Sequence, residues 1–270
     1  MEKKEYLHAL LLQSHIALSD RQIDQLYGFY ELLIETSKVM NLTTITEFED
    51  VCRKHFLDSL SFVRLFDLQD EKPKEGAYQK ELESLCQSSG QDPVKLIDVG
   101  CGAGFPGLVL AIAFPQVEVT LLDSLKKRIG FLDQVIQALG LLNCHTIHSR
   151  AEELAREGSH REQYDLAVSR AVANLSTLSE YCLPFVKEEG LFIAYKSAKI
   201  REEAQQAEHA LKCLGGRFER QVEFMLPVFS KDAGNEEQAE DYRNLYVIRK
   251  EQKTPKKYPR KAGTPAKDPL

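Results

Sequence analysis

The chain has 270 residues, of which 43% are hydrophobic and 28% are charged. This is the balance of an ordinary globular protein, and it excludes a disordered or collagen-like chain. The longest uninterrupted apolar run, residues 108–114, is far shorter than the ~20 residues that cross a bilayer, and the N-terminus lacks a cleavage site. We therefore expect a cytoplasmic protein with no membrane span. Its six cysteines show no metal-ligand spacing, so no metal is expected.

The net charge of −6 hides a difference between the two ends of the chain. Residues 249–270 hold eight basic side chains and two acidic ones, a net charge of +6 that leaves −12 for residues 1–248. Their prolines and glycine disfavour a continued helix or a central strand. We predict a basic C-terminal tail over residues 251–270. Binding to nucleic-acid phosphates and simple solubilisation of the terminus both fit this composition.

Residues 1–66 predict a small N-terminal helical domain. Ser19, followed three residues later by Gln22, predicts a capping box at a helix start. Apolar residues between Ile23 and Ile34 then recur at the spacing that lines one face of a helix, and Glu47 to Leu65 predicts a second amphipathic helical stretch.

Residues 67–93 lose this periodicity and are rich in charged residues, serine, glycine and proline. Breaker-rich polar segments of this kind are typical of loops. We therefore predict a hydrophilic linker or insertion between two domains.

Residues 94–250 alternate short apolar runs with helical stretches, which is typical of a parallel sheet covered by helices. Strands are predicted at residues 94–99, 117–122, 145–148, 165–169, 191–195, 217–226 and 245–249. Helices are predicted at residues 106–113, 124–139, 151–157, 174–183 and 199–214. The last two strands are joined without a long helix, which favours antiparallel pairing.

The strongest local motif lies between the first predicted strand and its helix. The strand ends at Val99 and is followed by Gly100, Gly102 and Gly104, which allow a sharp turn and a close approach to a ligand. Asp123 ends the second strand, where a carboxylate can accept hydrogen bonds from ribose hydroxyls. Together these features predict a nucleoside site at the carboxyl ends of the strands.

The identity of that nucleoside is ambiguous from the motif alone. Residues 102–107 also satisfy the GxGxxG fingerprint of dinucleotide-binding proteins, so an NAD(P)-dependent oxidoreductase is the main alternative. Asp98 favours S-adenosylmethionine, because an anion suits the ammonium and sulfonium charges of that ligand but not a pyrophosphate. The antiparallel strand pair favours it as well.

Two further groups follow the third and fourth strands, at the same edge of the predicted sheet. Ala151 and Glu152 follow the third strand, where Glu152 or its backbone neighbours can hold an adenine. Arg170 ends the fourth strand beside them.

Several motifs along nearly the whole chain resemble a known family, the ribosomal small-subunit methyltransferase G family, also called glucose-inhibited division protein B. The segments that carry the resemblance are residues 41–43, 55–60, 98–107, 121–128, 169–171, 195–196 and 258–265. The order of these motifs makes the resemblance more specific than the glycine loop alone. The segment 67–93 is longer than the family usually has.

The resemblance implies a fold, an activity and a set of site residues. The fold is that of a class I S-adenosylmethionine-dependent methyltransferase, a Rossmann-like, mostly parallel seven-stranded α/β sheet whose last strand is antiparallel. The activity is methyl transfer to N7 of a guanosine in the 530 loop of 16S rRNA. The implied cofactor contacts are Gly100, Phe105, Ala151, Glu152 and Arg170, beside the Asp98, Gly102, Gly104 and Asp123 named above.

Attack by guanine N7 on a sulfonium methyl group needs no general base, because the N7 lone pair is already available. The site must instead align the two reacting atoms and tolerate positive charge. The catalytic candidates are Asn41, His55, Arg170 and Lys196. The RNA-binding candidates are Thr43, Asp58, Arg128, Lys256, Lys257, Arg260 and Lys261.

The expected partner is 16S rRNA or the small ribosomal subunit, bound by a monomer. We hypothesise that the basic tail and the cationic candidates form one strip that steers RNA to the cofactor. His55 and Asp58 lie three residues apart on one predicted helix, so a purely structural hydrogen bond between them is equally compatible with the sequence. A non-catalytic RNA-binding assembly protein is a further alternative.

Overall fold

A computed structural model describes residues 2–66, 77–86, 92–170, 173–197, 201–227 and 242–270. The seven strands are β1 (Lys95–Val99), β2 (Glu118–Asp123), β3 (Cys144–His148), β4 (Tyr164–Arg170), β5 (Val186–Ser197), β6 (Gly216–Met225) and β7 (Tyr242–Lys250). Within these ranges, no helix combines the length and apolarity that a membrane crossing requires.

Helices precede, connect and follow the strands. The α-helices are α1 (Lys3–Gln13), α2 (Asp20–Ser37), α3 (Phe48–Val51), α4 (Asp58–Leu60), α5 (Ala77–Leu85), α6 (Gly107–Ala113), α7 (Lys126–Leu139), α8 (Ala151–Leu154), α9 (Leu175–Cys182), α10 (Arg201–Gln206), α11 (Glu208–Leu214) and α12 (Thr264–Lys267). A π-helix (Cys52–Leu57) joins α3 to α4, and 3₁₀ helices cover Ser61–Leu65 and Leu183–Phe185. The helix predicted over residues 199–214 is therefore two helices.

The strands form one sheet in the order β3-β2-β1-β4-β5-β7-β6. Strands β1 to β5 pair in parallel, whereas β7 lies antiparallel between β5 and β6. This topology confirms the predicted fold class of a class I methyltransferase. Strand order reverses between β1 and β4, and ligands of such sheets bind outside the carboxyl ends of the strands at that switch point.

Each face of the sheet has its own apolar core, because successive strand residues point to opposite faces. On one face, side chains such as Leu96 and Leu121 pack with α1, α2, α6 and α7. On the other, residues such as Ile97 pack with α8, α9 and α11. The N-terminal helices therefore share a core with the sheet.

The predicted capping box at the start of α2 is confirmed. The Ser19 backbone N–H donates to the Gln22 side chain at 2.9 Å. The Gln22 amide in turn donates to the carbonyls of Ile112 and Ala113 at the end of α6, both at 2.9 Å. The Gln22 side chain thus caps the start of α2 and also hydrogen-bonds α2 to the end of α6.

Within the segment predicted as a linker or insertion, residues 67–93, the structure describes residues 77–86 and 92–93. They include helix α5, whose Tyr78 and Leu82 are buried together with Cys86 just beyond it. The Tyr78 hydroxyl accepts a hydrogen bond from the Ala17 N–H at 3.0 Å. Three apolar residues at a four-residue spacing were too few to stand out among the charges. Residues 67–76 and 87–91 lie outside the described residues.

The structure describes all residues of the predicted basic tail, 251–270. We call these residues the C-terminal strap, because they fold back onto the face that carries α8 and α9. Tyr258 and Pro265 are buried, and Tyr258 joins the apolar core of that face. The Arg161 guanidinium donates to carbonyls of the strap at Thr254 (2.7 Å) and Tyr258 (3.0 Å).

Candidate functional site: a cleft at the carboxyl ends of β1 to β4

A cleft of about 610 Å³ opens where β1, β2, β3 and β4 end. Parallel strands bring their carboxyl ends to one edge of the sheet, so loops that are distant in sequence meet there. The lining includes Leu42, Thr43, His55, Gly100 to Ala103, Phe105, Asp123 to Leu125, Arg128, Ser149 to Glu152, Arg170, Tyr181, Gly263 and Ala266.

The glycine loop after β1 forms the floor of this cleft. Gly102 has φ +58°, and a Cβ added there would meet only the Gly100 carbonyl oxygen, at 4.0 Å, so the loop leaves room for a ligand. Gly104 has φ +101°, and a Cβ there would lie 2.9 Å from Leu132 and 3.0 Å from Leu108. A side chain at Gly104 would therefore be strained in backbone and in packing.

Asp123 is buried at the end of β2 and lines the cleft, as predicted. Its carboxylate accepts hydrogen bonds from Gly102 N (3.0 Å), Leu125 N (2.8 Å) and Arg128 Nη1 (3.3 Å). A carboxylate has about four acceptor positions, so capacity remains for a sugar hydroxyl. The Gly102 contact holds Asp123 against the glycine loop, and the Leu125 contact holds it against the start of α7.

Asp98 lies behind the lining instead of in it. Its Oδ2 accepts a hydrogen bond from Gly107 N at 2.7 Å, while its buried Oδ1 has no partner. Burial raises the pKa of Asp98 to about 7, against the lowering effects of the Gly107 hydrogen bond and of Arg170. The structure thus gives Asp98 a role in fixing the loop, and a direct contact with a cofactor stays a prediction.

Glu152 lies in the first turn of α8, the short helix after β3, and is buried at the edge of the cleft. Its Oε1 accepts a hydrogen bond from the backbone N–H of Gly263 at 2.8 Å. Ala151, Tyr181 and Ala266 line the cleft around it. This side of the cleft is therefore shared by the sheet domain and the C-terminal strap.

Arg170 is the centre of a cluster on the opposite side. Its Nη1 donates to Asp58 Oδ2 at 2.8 Å, and its guanidinium carbon lies 5.1 Å from the centre of the Phe105 ring. Phe105 stacks on His55 with ring centroids 4.4 Å apart. The π-helix presents His55 here, and such helices occur frequently at functional sites.

The hydrogen bonds of His55 define its protonation state. Its Nδ1 lies 3.3 Å from Arg170 Nη2, and because arginine only donates, Nδ1 must accept. Its Nε2 lies 2.9 Å from Thr43 Oγ1 and therefore carries the hydrogen. Burial, followed by the charge of Arg170, lowers the pKa of His55 to about 3. His55 is thus a neutral side chain.

Asp58 does not line the cleft, although it was an RNA-binding candidate. It is buried and pairs with two arginines, Arg170 at 2.8 Å and Arg243 Nε at 3.4 Å. A carboxylate that is enclosed by two guanidinium groups is a positioning group for them. The structure gives Asp58 this positioning role, and an RNA contact at Asp58 stays a prediction.

Two of the catalytic candidates lie outside the cleft lining. Asn41 is exposed on the loop that precedes Leu42 and Thr43. Lys196 donates to the carbonyl of Ala173 at 2.6 Å and to Glu203 at 2.8 Å. Lys196 thus stabilises the region after β5.

The basic RNA-binding candidates of the strap differ in exposure and in their partners. Lys256, Lys257 and Lys261 are exposed. Arg260 instead pairs with the fully buried Glu180 at 2.7 Å, so the structure gives it a packing role. Three lining residues were not predicted from the sequence: Tyr181 of α9 and Gly263 and Ala266 of the strap. No local pattern indicates that the strap folds against α9.

Comparison with known proteins agrees with this geometry. The sequence profile of the family described as rRNA small subunit methyltransferase G matches residues 22–74 and 79–227. The chain belongs to this family. The family includes a relative named ribosomal RNA small subunit methyltransferase G in Lachnoclostridium phytofermentans, which is 46% identical over 253 residues, 94% of this chain and 91% of the relative.

Two further family members extend the similarity over essentially the whole chain. The relative of the same name in Alkaliphilus metalliredigens is 43% identical over 270 residues, all of both chains. The one in Listeria monocytogenes serotype 4b (strain F2365) is 42% identical over 266 residues, 98% of each chain. The resemblance noted from the motifs is therefore confirmed.

Proposed function

We propose that the protein transfers a methyl group from S-adenosylmethionine to N7 of a guanosine in the 530 loop of 16S rRNA. The observation that carries this proposal is the single cleft in which the glycine loop and Asp123 face the Arg170 cluster. Membership in a family named for methylation of small-subunit rRNA supports the choice of substrate.

The cleft residues fit the proposed cofactor. In this proposal Asp123 binds the ribose, the open surface at Gly102 admits the ligand close to the backbone, and Glu152 offers a carboxylate to the adenine side. A cavity of about 610 Å³ is within the usual range for small-molecule sites. Bound there, S-adenosylmethionine supplies a methyl group on a positively charged sulfur.

The acceptor side requires alignment more than proton transfer. The N7–methyl bond forms as the sulfur–methyl bond breaks, and no proton leaves the guanine at N7. The neutral His55, held between Thr43 and Arg170, is consistent with a site that has no general base. Its stacking on Phe105 builds a flat wall beside the place where a base would lie.

Thr43 and Arg170 supply hydrogen-bond donors at this wall. Thr43 Oγ1 accepts from His55 Nε2 and from the Ile45 N–H at 3.1 Å, so its own hydrogen is directed elsewhere. The proposed target of that hydrogen is an acceptor of the guanine. Arg170 is neutralised by Asp58, which limits the cost of positive charge that develops on the purine.

The test is methyl transfer with labelled S-adenosylmethionine, small ribosomal subunits and 16S rRNA, followed by mass mapping of the modified base. Asp123→Asn should reduce incorporation at least ~10-fold. Asp133→Asn should not, since Asp133 bonds the Thr146 hydroxyl in an exposed position. A methyl group on a ribose or a pyrimidine would contradict the N7 assignment.

The oxidoreductase alternative predicts a different ligand for the same cleft. A ligand that prefers the folded state raises the melting temperature. S-adenosylhomocysteine should therefore stabilise the protein, and NAD or NADP should not. Comparing methyl incorporation into naked 16S rRNA and into small ribosomal subunits shows which of the two is the substrate. Sedimentation of the active protein checks the expectation that it is a monomer.

A further inference from the structure

We infer that the C-terminal strap is a working part of the cofactor site: it forms the wall on the adenine side, and its docking is coupled to cofactor binding. This inference rests on the proposed function, because it takes the ligand to be an adenosyl compound. Gly263 and Ala266 of the strap line the same cleft as Asp123 and the glycine loop.

The contact between the two parts runs through Glu152. The Gly263 N–H donates to Glu152 Oε1 at 2.8 Å across 111 positions of sequence. Glu152 is only 5% exposed, so it depends on this partner to hold its charge in place. A ligand that bonds to Glu152 therefore favours the docked strap, and the docked strap favours the ligand to the same degree.

The strap is anchored by buried polar partners. Glu180, which is fully buried, accepts from the backbone N–H of Arg260 at 2.6 Å and from its Nη2 at 2.7 Å. Thr177 Oγ1 donates to the Pro265 carbonyl at 2.9 Å. Lifting the strap would leave these groups without partners, which is costly in a buried setting. These contacts define the position of the docked strap, and losing one of them lowers the docked fraction on which ligand affinity depends.

The wall has the chemistry of a purine site. Tyr181 and Ala266 contribute aromatic and small apolar surface, while Glu152 is an acceptor for N–H or O–H donors. An adenine amino group or a ribose hydroxyl satisfies that acceptor, and a phosphate does not. The strap thus favours an adenosyl ligand over a nucleotide whose phosphates would lie on this side.

The coupling is tested with two matched substitutions in α9. Thr177→Val removes the hydroxyl that bonds the strap at Pro265 and keeps the side-chain shape. Ser179→Ala removes a buried hydroxyl whose partner, among the residues that the structure describes, is the Leu175 carbonyl of the same helix at 2.7 Å. By calorimetry with the full chain, Thr177→Val should weaken S-adenosylhomocysteine binding about tenfold, and Ser179→Ala by less than about twofold.

The proposed wall on the adenine side is tested with a second pair of substitutions, both in α12. Ala266→Trp fills the cleft from an exposed position and should weaken S-adenosylhomocysteine binding by ~100-fold or more. Lys267→Trp places the same indole on the neighbouring exposed residue, outside the lining, and should leave the affinity unchanged. Circular dichroism and melting temperature check that all four variants are folded.

The binding measurements distinguish failure of the proposed function from failure of the inference about the strap. If the wild-type protein does not bind S-adenosylhomocysteine, the proposed function fails and this inference fails with it. If the wild type binds and either Thr177→Val or Ala266→Trp retains full affinity, the inference is overturned and the proposed function stands. Losses in both variants, with both controls intact, support the coupled wall.

Discussion

Arg170 Nη1 lies 2.8 Å from Asp58 Oδ2, although the two residues are 112 positions apart in the sequence. Asp58 belongs to the N-terminal helices and Arg170 ends β4, so this pair joins the helices to the sheet at the cleft. The same carboxylate also faces Arg243 of β7. The acceptor side of the cleft therefore depends on one buried negative charge.

Asp58→Asn should destabilise the protein by ~3 kcal/mol, since two mostly buried guanidinium groups lose their counter-charge. Asp50→Asn is the matched control, because Asp50 pairs with Arg53 and Lys54 but is 43% exposed. It should change stability by less than ~1 kcal/mol. Urea unfolding measures both, and equal effects would show that Asp58 has no special positioning role.

His55 should make unfolding pH-dependent below neutrality. Its pKa is about 3 in the folded protein and near 6.5 when unfolded, so its contribution is complete above pH 6.5 and is lost as pH falls toward 3. The loss is at most about 1.4 kcal/mol per pH unit. His55→Gln should flatten the slope between pH 4.5 and 6.5, whereas the exposed His148→Gln should retain it.

Asp98 should change the free energy of unfolding with pH in the direction opposite to His55. Its folded pKa of about 7 exceeds the unfolded value near 3.8, so its burial costs stability increasingly as pH rises through this window. Asp98→Asn should therefore stabilise the protein at pH 8, by ~1–4 kcal/mol, and have little effect at pH 4. Thermal unfolding at both pH values tests this, and destabilisation at pH 8 would contradict it.

The same substitution also tests the proposed electrostatic role of Asp98. S-adenosylmethionine carries a sulfonium charge that S-adenosylhomocysteine lacks. Asp98→Asn should weaken binding of the first more than that of the second, by about tenfold. Asp165→Asn is the control, since Asp165 bonds Lys95 N at 2.8 Å near the start of β1, away from the cleft. Its ligand preference should match the wild type.

The exposed lysines of the strap should contribute to RNA affinity through the phosphates. Replacing Lys256, Lys257 and Lys261 together with glutamine should reduce the slope of log affinity against log salt by about 2. Melting temperature should stay unchanged, because these side chains are exposed. An unchanged slope in filter binding would remove the strap from the RNA interface.

Arg260 should behave differently from those lysines. Arg260→Met leaves the fully buried Glu180 without its charged partner and should cost ~3 kcal/mol in urea unfolding. Arg217→Met breaks the pair between Arg217 and Glu251, whose side chains are 55% and 46% exposed, and should leave the free energy of unfolding nearly unchanged. A similar cost for both variants would argue against the anchoring role of Arg260.

The sheet and the glycine loop were predictable because their signals are local. Strands such as β1 and β2 contain short apolar runs, and Gly100 to Gly104 directly follow β1, so strand, turn and ligand site are adjacent in sequence. Asp123 was found for the same reason, because it closes the next strand. The antiparallel pairing of β6 and β7 was predicted because the sequence between the two strands shows no long helical pattern.

The remaining parts of the site depend on tertiary contacts that no local pattern encodes. The sequence placed Asp58 near RNA, yet it is enclosed by Arg170 and Arg243 from two distant strands. Charge alone suggested a free tail, while Tyr258 and Pro265 are the residues that dock it. Contacts of this kind join residues that are distant in the sequence, so the residues around each of them do not predict its role.

The placement of β7 between β5 and β6 constrains the order in which the protein assembles. In the described part of the sheet, β6 pairs with β7 alone, so it cannot join the sheet before β7 exists. The strap follows directly, with the Glu251 N–H bonded to the Gly215 carbonyl at 2.8 Å. The edge hairpin therefore needs the chain as far as residue 250, whereas the lining of the cleft is complete only with Gly263 and Ala266 of the strap.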